Sequence, residues 1–382
     1  MAQSFDTLEA WLGWLERQHP RDIELGLERI RPVARKLGLL EPQAPVVSVA
    51  GTNGKGSCVA ATAALLRRAG LQVGSYTSPH LLRYNERVQV NAQPVSDEAL
   101  CLAFESIAEA AASLGTSLTY FEFGTLAALD IFRRQGVDIM VLEVGLGGRL
   151  DAVNLLDADV SVVTSVDLDH QDWLGADREA IGREKAGIFR AGKPALCADA
   201  QPPKSLIGTA KALGADWQLL GQSFGYQSEA TQGSQKTWSW WGAQASGQRL
   251  ALTHMPYPTL PLPSLAAALQ ALAQLGYNPQ DLQAPQLLAK LELPGRYQKL
   301  AWRGRTLVLD VAHNPAAARY LAQRLSQDNP APVVALLAMM KDKDRRGTIA
   351  ALLEQVVHWW LAELPQLPRS ASSDELRVDL KA

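Results

Sequence analysis

Short apolar runs alternate with longer amphipathic stretches between residues 46 and 200. The runs 46–50, 139–142 and 159–166 are predominantly apolar and rich in β-branched residues, which predicts strands buried on both faces. Residues 58–68 and 97–114 carry apolar positions at helical spacing and predict helices. This alternation predicts a mainly parallel sheet that is covered by helices on both faces.

A further helix is predicted to follow Thr125 and to end near Arg134. Beyond residue 200 the pattern changes, because residues 217–257 are polar and contain clustered tryptophans. They predict short antiparallel strands that close a first domain, and the indole rings are expected to pack at its edge rather than stack on a ligand. An alanine-rich helix is predicted for residues 264–275.

A domain boundary is predicted near residue 294, at Pro-Gly-Arg. New apolar strands begin beyond it, at 306–310 and 333–337, and each is followed by a helical stretch. The chain is therefore expected to form two α/β domains, residues 1–293 and residues 294–382. After Leu361 the sequence turns to Pro, Ser and charged residues, and this tail is expected to be poorly ordered.

Composition and charge exclude several classes of function. The chain has 382 residues, of which 47% are hydrophobic, and its net charge of −2 gives no basic field for nucleic acid. The start lacks the basic and apolar regions of a signal peptide, and no apolar stretch is long enough to span a bilayer. The three cysteines have no metal-binding or pairing spacing, so reduced thiols and a cytoplasmic location are expected.

The stretch Gly-Thr-Asn-Gly-Lys-Gly-Ser at 51–57 lies between a predicted strand and a predicted helix. Glycines allow backbone N–H groups to surround an anion, and the helix N-terminus adds partial positive charge. Lys55 would reach the outer phosphates of a nucleotide, and the Ser57 hydroxyl would lie near a phosphate-bound magnesium. The spacing departs from the common P-loop pattern, since Val49 and Gly56 occupy two of its positions, and a simple tight turn is the alternative.

Polar side chains follow several predicted strands at the edge where ligands gather in open α/β sheets. Ser78 and His80 follow one strand, Glu143 ends the next, and His170 lies among three carboxylates after a third. A carboxylate at such a strand end, beside a phosphate loop, is a magnesium-ligand position. A structural hydrogen bond is the alternative for Glu143, and a structural role is the alternative for His170.

Several motifs then point to one family. They are, in chain order, Gly-Thr-Asn-Gly-Lys-Gly-Ser at 51–57, Ser-Pro-His at 78–80, Tyr-Phe-Glu at 120–122, Glu-Val-Gly-Leu-Gly-Gly-Arg-Leu-Asp at 143–151, Leu-Asp-His at 168–170, Arg-Glu-Lys-Ala-Gly-Ile-Phe at 183–189, Pro-Gly-Arg at 294–296 and Asp-Val-Ala-His-Asn-Pro at 310–315. Over nearly its whole length the chain resembles the bifunctional dihydrofolate synthase/folylpolyglutamate synthases of the Mur ligase superfamily.

The resemblance implies a P-loop ATP-binding domain of Mur-ligase type, with a mainly parallel sheet, followed by a smaller Rossmann-like α/β domain. It also implies an ATP-dependent amide ligase. ATP would phosphorylate a carboxylate of dihydropteroate or a folate, and L-glutamate would attack the acyl phosphate. Two Mg²⁺ ions would serve as cofactors, and the family's habit suggests a monomer. Composition and charge already give no reason to expect a nucleic-acid or membrane partner.

The resemblance assigns residues to roles. ATP would be bound by Thr52, Asn53, Gly54, Lys55, Gly56, Ser57, Ser264, Arg296 and Asp310. Ser78 and Glu143 would bind one magnesium and His170 the second, helped by Lys185, which resembles the family's carbamylated lysine. The dihydropteroate pocket would comprise Glu24, Leu25, Gly26, Thr119, Tyr120, Phe121, Glu122, Leu150, Asp151 and Ala152. Catalytic roles would fall to Lys55, His170, Lys185 and His313.

Two features depart from the family pattern. Ser264 stands where the family usually has an Asn that meets the adenine ring, and one hydroxyl cannot replace both functions of an amide. The second domain is expected to be truncated, because no late strand with a Gly-Ser-Phe motif follows. Two alternatives to the folate ligase therefore stay open: a non-catalytic pterin- or nucleotide-binding remnant, and a Mur-type ligase acting on a peptidoglycan precursor.

Overall fold

A computed structural model of the chain describes residues 4–21, 23–232, 235–328 and 332–381. The chain divides into two compact units, Met1–Leu293 and Pro294–Ala382. Within the described ranges, the longest apolar helices fall short of what is needed to cross a membrane.

The first unit contains helices on both sides of a large sheet. Its helices are α1 (Leu8–Leu15), α2 (Ile30–Lys36), α3 (Lys55–Arg68), α4 (Asp97–Ser113), α5 (Tyr120–Gln135), α6 (Gln171–Leu174), α7 (Arg178–Ala186), α8 (Lys204–Leu213), α9 (Leu262–Gln274) and α10 (Ala284–Ala289). Its strands are β1 (Val46–Ala50), β2 (Val73–Tyr76), β3 (Val88–Val90), β4 (Gln93–Pro94), β5 (Ile139–Glu143), β6 (Val160–Val163), β7 (Pro194–Cys197), β8 (Asp216–Leu219), β9 (Gly225–Gln232), β10 (Gln235–Ala243) and β11 (Arg249–Pro256). Short 3-10 helices lie at Tyr84–Arg87 and Ala152–Leu155.

In the described part of the first unit, eight strands form one sheet in the order β4-β3-β2-β5-β1-β6-β7-β8. The strands β2, β5, β1, β6, β7 and β8 pair in parallel, and β3 and β4 add an antiparallel hairpin at one edge. The predicted mainly parallel sheet is therefore confirmed. Strand β1 lies between β5 and β6, so the loops that follow these three strands meet at one edge of the sheet.

The sheet separates two hydrophobic cores, because its strands are buried on both faces. The core on one face contains apolar side chains of α4 and α5, including Phe104, Phe123 and Phe132. The core on the other face contains side chains of α3 and α9, including Leu65 and Leu265. Both helical layers therefore help to fix the loops at the strand ends.

Strands β9 to β11 form a separate antiparallel sheet, which confirms the prediction for most of residues 217–257. The prediction was wrong for residues 217–219, which belong to β8 and pair in parallel with β7. Trp238 and Trp240 are each 1% exposed, and Trp240 Nε1 donates a hydrogen bond to the carbonyl of Ala266 in α9 at 3.2 Å. The expectation that the indoles pack at the edge of the domain was wrong for these two, which lie in the hydrophobic core, whereas Trp241 is 39% exposed. Helix α9 starts two residues before the predicted Ser264, with proline in its first turn, where a missing N–H costs nothing.

The expected start of α5 after Thr125 was wrong, because the helix begins at Tyr120. Thr119 is the N-cap, and its side chain accepts from the N–H of Glu122, while the carboxylate of Glu122 accepts from the N–H of Thr119. This capping box satisfies two donors at the helix start and outweighs the aromatic, strand-like character of Tyr-Phe-Glu-Phe. The motif at 120–122 therefore occupies the first turn of a helix.

The second unit contains α11 (Pro315–Asp328), α12 (Arg345–Ala350), α13 (Ser373–Lys381), β12 (Gln298–Trp302), β13 (Arg305–Leu309), β14 (Val333–Leu337) and β15 (Val356–Leu361). Among the residues described there, β12 pairs antiparallel with β13, and β14 pairs in parallel with β15.

The prediction of a poorly ordered tail was wrong, because residues 373–381 form helix α13. Ser372 and Glu375 form reciprocal hydrogen bonds at its start, and Leu376 is fully buried. Asp379 accepts hydrogen bonds from Arg345 at 2.6 Å and Arg346 at 3.0 Å in α12. The tail is ordered by contacts with residues distant in sequence.

Candidate active site

The phosphate loop follows β1 and leads into α3, as its sequence predicts. Gly54 precedes the helix with φ +84°, a left-handed conformation that glycine adopts without steric cost. The Nζ atom of Lys55 donates to the carbonyl of Gly51 at 3.1 Å and folds back over the loop. The Ser57 side chain is buried in the first turn of α3. The start of α3 and the ammonium of Lys55 thus lie together at the phosphate loop, and a helix N-terminus with a nearby cation suits an anion.

Three hydroxyl groups support this loop from neighbouring elements. Thr164 Oγ1, just after β6, donates to the carbonyl of Asn53 at 2.7 Å, and Ser165 Oγ accepts from the N–H of Asn53 at 2.9 Å. Ser264 Oγ, in α9, donates to the carbonyl of Gly54 at 3.1 Å. The loop conformation is therefore held by hydrogen bonds to side chains of two other elements.

Glu143 lies at the carboxyl end of β5 beside the phosphate loop. It is 4% exposed, and its Oε2 accepts from the N–H of Ser78 at 3.2 Å. A Cβ atom on Gly56 would lie 3.6 Å from the same oxygen, so this carboxylate faces the first turn of α3. Hard oxygen donors of this kind suit Mg²⁺. A buried carboxylate at the phosphate loop, with the Ser78 hydroxyl on the adjacent segment, fits the implied metal.

Lys185 is a buried lysine in α7, only 3% exposed. Burial lowers its pKa to about 7, and the positive charge of Lys55 acts in the same direction, while Asp169 and Asp151 oppose it. A large share of this amine is therefore uncharged at neutral pH. The glycine-rich loop after β5 lies against the same helix, since the N–H of Arg149 donates to the carbonyl of Glu184 at 2.8 Å.

Asp151 is the carboxylate that ends this glycine-rich loop. Its two oxygens accept from the N–H groups of Leu146 at 2.8 Å and Val153 at 3.0 Å. Burial raises the pKa of Asp151 to about 7, and these N–H groups and Lys55 only partly oppose the shift. Asp151 and Lys185 therefore both titrate near neutrality, for the same physical reason: each is removed from water.

His170 lies after β6, and its side chain is 38% exposed. Its backbone has φ +50°, and its N–H donates to Asp169 Oδ1 at 2.9 Å, while Asp169 contributes negative charge at Lys185. In the parts of the chain that the structure describes, three or more His, Cys, Asp or Glu side chains are nowhere grouped to hold a metal. A metal here would take further oxygen ligands from hydroxyls, phosphates or water.

The three stretches assigned to the dihydropteroate pocket meet in the structure. The N–H of Gly26 donates to the carbonyl of Leu150 at 3.1 Å. Arg29 donates to Glu24 Oε1 at 2.6 Å and to Glu122 Oε1 at 3.0 Å. Glu122 uses its second oxygen on the N–H of Thr119 at 2.7 Å. Both Glu122 oxygens are thus engaged by protein groups.

Phe121 connects this region to the strand end. A Cβ atom on Gly145 would lie 2.5 Å from Phe121 Cζ, so the ring lies directly over the glycine that follows β5. The ring is half-buried, as is Tyr120, whose ring lies near Tyr84 and below the guanidinium of Arg87. A half-buried aromatic face next to the carboxyl end of β5 suits a flat heteroaromatic ligand.

In the second unit, the assigned polar residues cluster around the end of β13. Asp310 accepts from the N–H groups of Tyr297 and Ala312, both at 2.8 Å. The Nδ1 atom of His313 lies 3.0 Å from the carbonyl oxygen of Val311. The N–H of Val311 donates to the carbonyl of Gly295. The segment 294–297 and the segment 310–313 are therefore fastened together, with Arg296 between Gly295 and Tyr297.

Sequence reasoning missed three residues that support the site. Thr164 holds the phosphate loop, Asp169 faces Lys185, and Arg29 joins two pocket segments. Asp169 had a signal in the sequence, because it precedes His170 after a strand. Arg29 and Thr164 had none, because their partners lie 93 and 111 residues away.

Two family models match the chain. The Mur ligase middle domain matches residues 49–201, and the glutamate ligase domain of Mur ligases matches residues 295–382. The dihydrofolate synthase/folylpolyglutamate synthase of Escherichia coli (strain K12) is 44% identical over 375 residues, covering 98% of this chain and 86% of that protein. Its Haemophilus influenzae counterpart is 37% identical over 393 residues, with 98% and 87% covered.

Solved structures give the same result. E. coli FolC in complex with DHPP and ADP has a TM-score of 0.91 at 42% identity, covering 100% of this chain and 89% of that one. A bifunctional folylpolyglutamate synthase/dihydrofolate synthase with Mn, AMPPNP and L-glutamate bound has a TM-score of 0.89 at 44% identity, with the same coverage. Since these relatives cover the whole chain and the glutamate ligase domain matches 295–382, the expected truncation of the second domain is not supported.

Proposed function

Because this chain belongs to the dihydrofolate synthase/folylpolyglutamate synthase family, we propose that it is an ATP-dependent ligase that joins L-glutamate to dihydropteroate and to folates. Similar proteins have been solved with ADP and DHPP and with AMPPNP, Mn and L-glutamate, which supports ATP, a divalent metal and these acceptors. The remnant and the peptidoglycan ligase are not favoured, since the closely similar proteins named here are folate enzymes.

The observation that carries the proposal is the adjacency of three chemical features at one edge of the sheet. The phosphate loop, the buried carboxylate of Glu143 and the aromatic segment at Phe121 are all in contact with the segments that end β1 and β5. A nucleotide and a flat acid would therefore meet there. This is the arrangement needed to transfer a phosphoryl group from ATP to a carboxylate.

Phosphorylation makes a carboxylate reactive, since it turns an oxygen that cannot leave into a phosphate that can. The amino group of L-glutamate would then attack the acyl phosphate and release phosphate. Loop residues 52–57 would hold the phosphates of ATP, and the Lys55 ammonium would stabilise charge that develops on them. A divalent metal at Ser78 and Glu143 would neutralise phosphate charge and align the nucleotide.

We further propose a second metal site that includes His170 and a carbamylated Lys185. Carbamylation requires a neutral amine, because its nitrogen lone pair must attack CO₂ and lose a proton. A lysine pKa of about 7 supports this, since an ordinary lysine would stay charged. The product is an anion, which removes the repulsion between Lys55 and Lys185 and adds two oxygen ligands.

For the acceptor we propose the pocket formed by 24–26, 119–122 and 150–152. The ring of Phe121 would stack on the pterin, and Asp151 would meet its polar edge. Ser264 and, from the second unit, Arg296, Asp310 and His313 keep the ATP and catalytic roles that the family resemblance implies. The two Mg²⁺ sites and a monomeric state belong to this proposal.

The test is ADP release by the purified chain with ATP, Mg²⁺, dihydropteroate and L-glutamate, each omitted in turn. We expect release that requires all four, and no release when a UDP-muramyl peptide replaces dihydropteroate. Release that needs only the UDP-muramyl acceptor would favour the peptidoglycan ligase. Folded protein that binds dihydropteroate but releases no ADP with any acceptor would favour the remnant.

A further inference from the structure

Arg29 lies immediately before α2, in the segment that follows the Glu24–Gly26 stretch. Its guanidinium makes three hydrogen bonds: Nη1 donates to Glu24 Oε1 at 2.6 Å, and Nη2 donates to the carbonyl of Glu24 at 2.7 Å and to Glu122 Oε1 at 3.0 Å. One planar fork thus closes the segment 24–29 on itself and fastens it to the first turn of α5. Arginine suits this task because its donors are fixed in one plane.

The buried carboxylate of Glu122 depends on Arg29 for a compensating positive charge. Its side chain is only 4% exposed, and burial raises its pKa, while the N–H of Thr119 and the charge of Arg29 oppose that rise. The same carboxylate completes the capping box that fixes Thr119, and Tyr120 and Phe121 lie between those two residues. Removing the arginine would leave a buried carboxylate with its charge uncompensated, which is the costly way to break an ion pair.

The other end of the segment is also fastened. The N–H of Gly26 donates to the carbonyl of Leu150, so residues 24–29 are tied to the loop before Asp151 by a backbone bond. Gly26 has φ +147°, a conformation that residues with a side chain rarely adopt, and a Cβ atom there would lie 2.8 Å from Glu28 Oε2. Any other residue at this position would therefore be strained. The segment is therefore held at two points, at Leu150 through its backbone and at Glu122 through Arg29.

We propose that Arg29 is a positioning residue that holds the walls of the acceptor pocket at their working distance and so sets the affinity for the pterin acceptor. This inference rests on the proposed function, since it takes the three segments to be that pocket. Arg29 acts through Glu24 and Glu122, and it makes no hydrogen bond to the phosphate loop. Loss of Arg29 would therefore weaken binding of one substrate and leave the nucleotide site intact.

If Arg29 had a purely structural role, a different result would be expected. Loss of its ion pair would then lower the stability of the whole unit and raise KM for all substrates alike. If Arg29 has a positioning role, its loss should raise KM for the acceptor and leave KM for ATP unchanged, because only the acceptor contacts these pocket walls. The contrast between KM for dihydropteroate and KM for ATP therefore distinguishes the two roles.

The experiment compares Arg29→Met and Arg29→Lys with a matched control, Arg31→Met, in the full chain. Arg31 is exposed on α2 two residues away, so its variant removes the same charge without touching the pocket. We expect Arg29→Met to raise KM for dihydropteroate on the order of ten- to a hundredfold, as misplaced positioning groups do. KM for ATP should stay within about twofold, and Arg31→Met should match wild type.

Arg29→Lys should recover only part of the affinity for dihydropteroate that Arg29→Met loses. An ammonium keeps the positive charge but lacks the planar set of donors that a guanidinium provides. If Arg29→Met does not fold, Arg29→Lys and Arg29→Gln carry the test with the same two constants. An unchanged KM for dihydropteroate in folded variants, or equal rises in all substrate constants, would overturn the positioning role while the ligase function stands. Wild-type protein without dihydropteroate-dependent ADP release would instead overturn the proposed function, and this inference with it.

Discussion

At the scale of single residues, the candidate site contains a lysine and an aspartate whose charged forms are disfavoured by burial. Lys185 and Asp151 are both buried, and both have pKa values near 7, one lowered and the other raised. Nothing in the sequence around Lys185 distinguishes it from a solvated lysine, because its special property comes from burial beside Lys55. Family resemblance suggests that Lys185 is the carbamylated lysine. The physical basis of that role, a pKa lowered by burial, is visible only in the folded structure.

Lys185→Ala should lower kcat by at least about a hundredfold, because it removes the group that would carry the second metal's added oxygen ligands. Short carboxylic acids such as acetate or propionate should restore part of the activity by occupying the vacated space. Intact mass spectrometry of the wild type should detect the mass of one added CO₂ under gentle conditions. Lys211→Ala, at an exposed position of α8, serves as the control. Turnover of Lys185→Ala at the wild-type rate would refute the carbamate proposal.

Thr164→Val should raise KM for ATP about two- to tenfold, because the variant loses the hydrogen bond that supports the Asn53 carbonyl. The Asn53 carbonyl keeps a hydrogen bond from Ser165 Oγ at 3.1 Å, so the variant should lose only the net contribution of one hydrogen bond, about 0.5–1.5 kcal/mol, and the melting temperature should fall slightly. KM for dihydropteroate should change little, since the Thr164 hydroxyl donates to the phosphate loop and to Ala50 at the end of β1 and has no hydrogen bond to the proposed acceptor pocket. Thr164→Ser keeps the hydroxyl and should restore KM for ATP; a serine variant as impaired as the valine variant would contradict this role.

At the scale of elements, the sequence predicts best where the signal is local. Continuous apolar runs identify the parallel strands, and the glycine-rich loop between β1 and α3 is recognisable because strand, loop and helix are adjacent. The capping box that starts α5 at Tyr120 was missed, although Thr119 and Glu122 have the required spacing, because the aromatic residues between them favour a strand. Helix α13 was missed because Asp379, Arg345 and Arg346 are distant in sequence.

Asp379→Asn should loosen α13. Hydrogen bonds from Arg345 and Arg346 hold the pKa of Asp379 below its usual value, so its contribution to stability is present above the usual pKa of about 4 and is lost as pH falls through the lowered value. At pH 7, native-state hydrogen exchange of residues 373–381 should show that the free energy of opening α13 is lower than in the wild type by on the order of 1 kcal/mol. The difference from wild type should shrink toward pH 3.

The control for α13 is Asp374→Asn, which neutralises an exposed carboxylate on the same helix. It should leave the exchange of residues 373–381 near wild type, because a single exposed ion pair contributes little. A loss of protection in Asp379→Asn that persists unchanged at pH 3 would show that the ion pairs with α12 are not what orders this segment.

At the scale of the whole molecule, two compact α/β units follow one another along the chain. The sequence places the boundary at the Pro-Gly-Arg motif, because apolar strands resume beyond it, and the family models match either side of that position. What the sequence cannot supply is the network between distant segments. The bonds from Arg29 to Glu122, Gly26 to Leu150 and Thr164 to Asn53 arise only when the chain folds.

The central claim is that a carboxylate of the acceptor is activated as an acyl phosphate, and oxygen transfer tests it most directly. Dihydropteroate with heavy oxygen in its carboxylate is converted with ATP, Mg²⁺ and L-glutamate, and the released phosphate is analysed by mass spectrometry. The account predicts one heavy oxygen in the phosphate for each amide formed, because that carboxylate oxygen leaves with the phosphoryl group. Product formation with unlabelled phosphate would contradict the account.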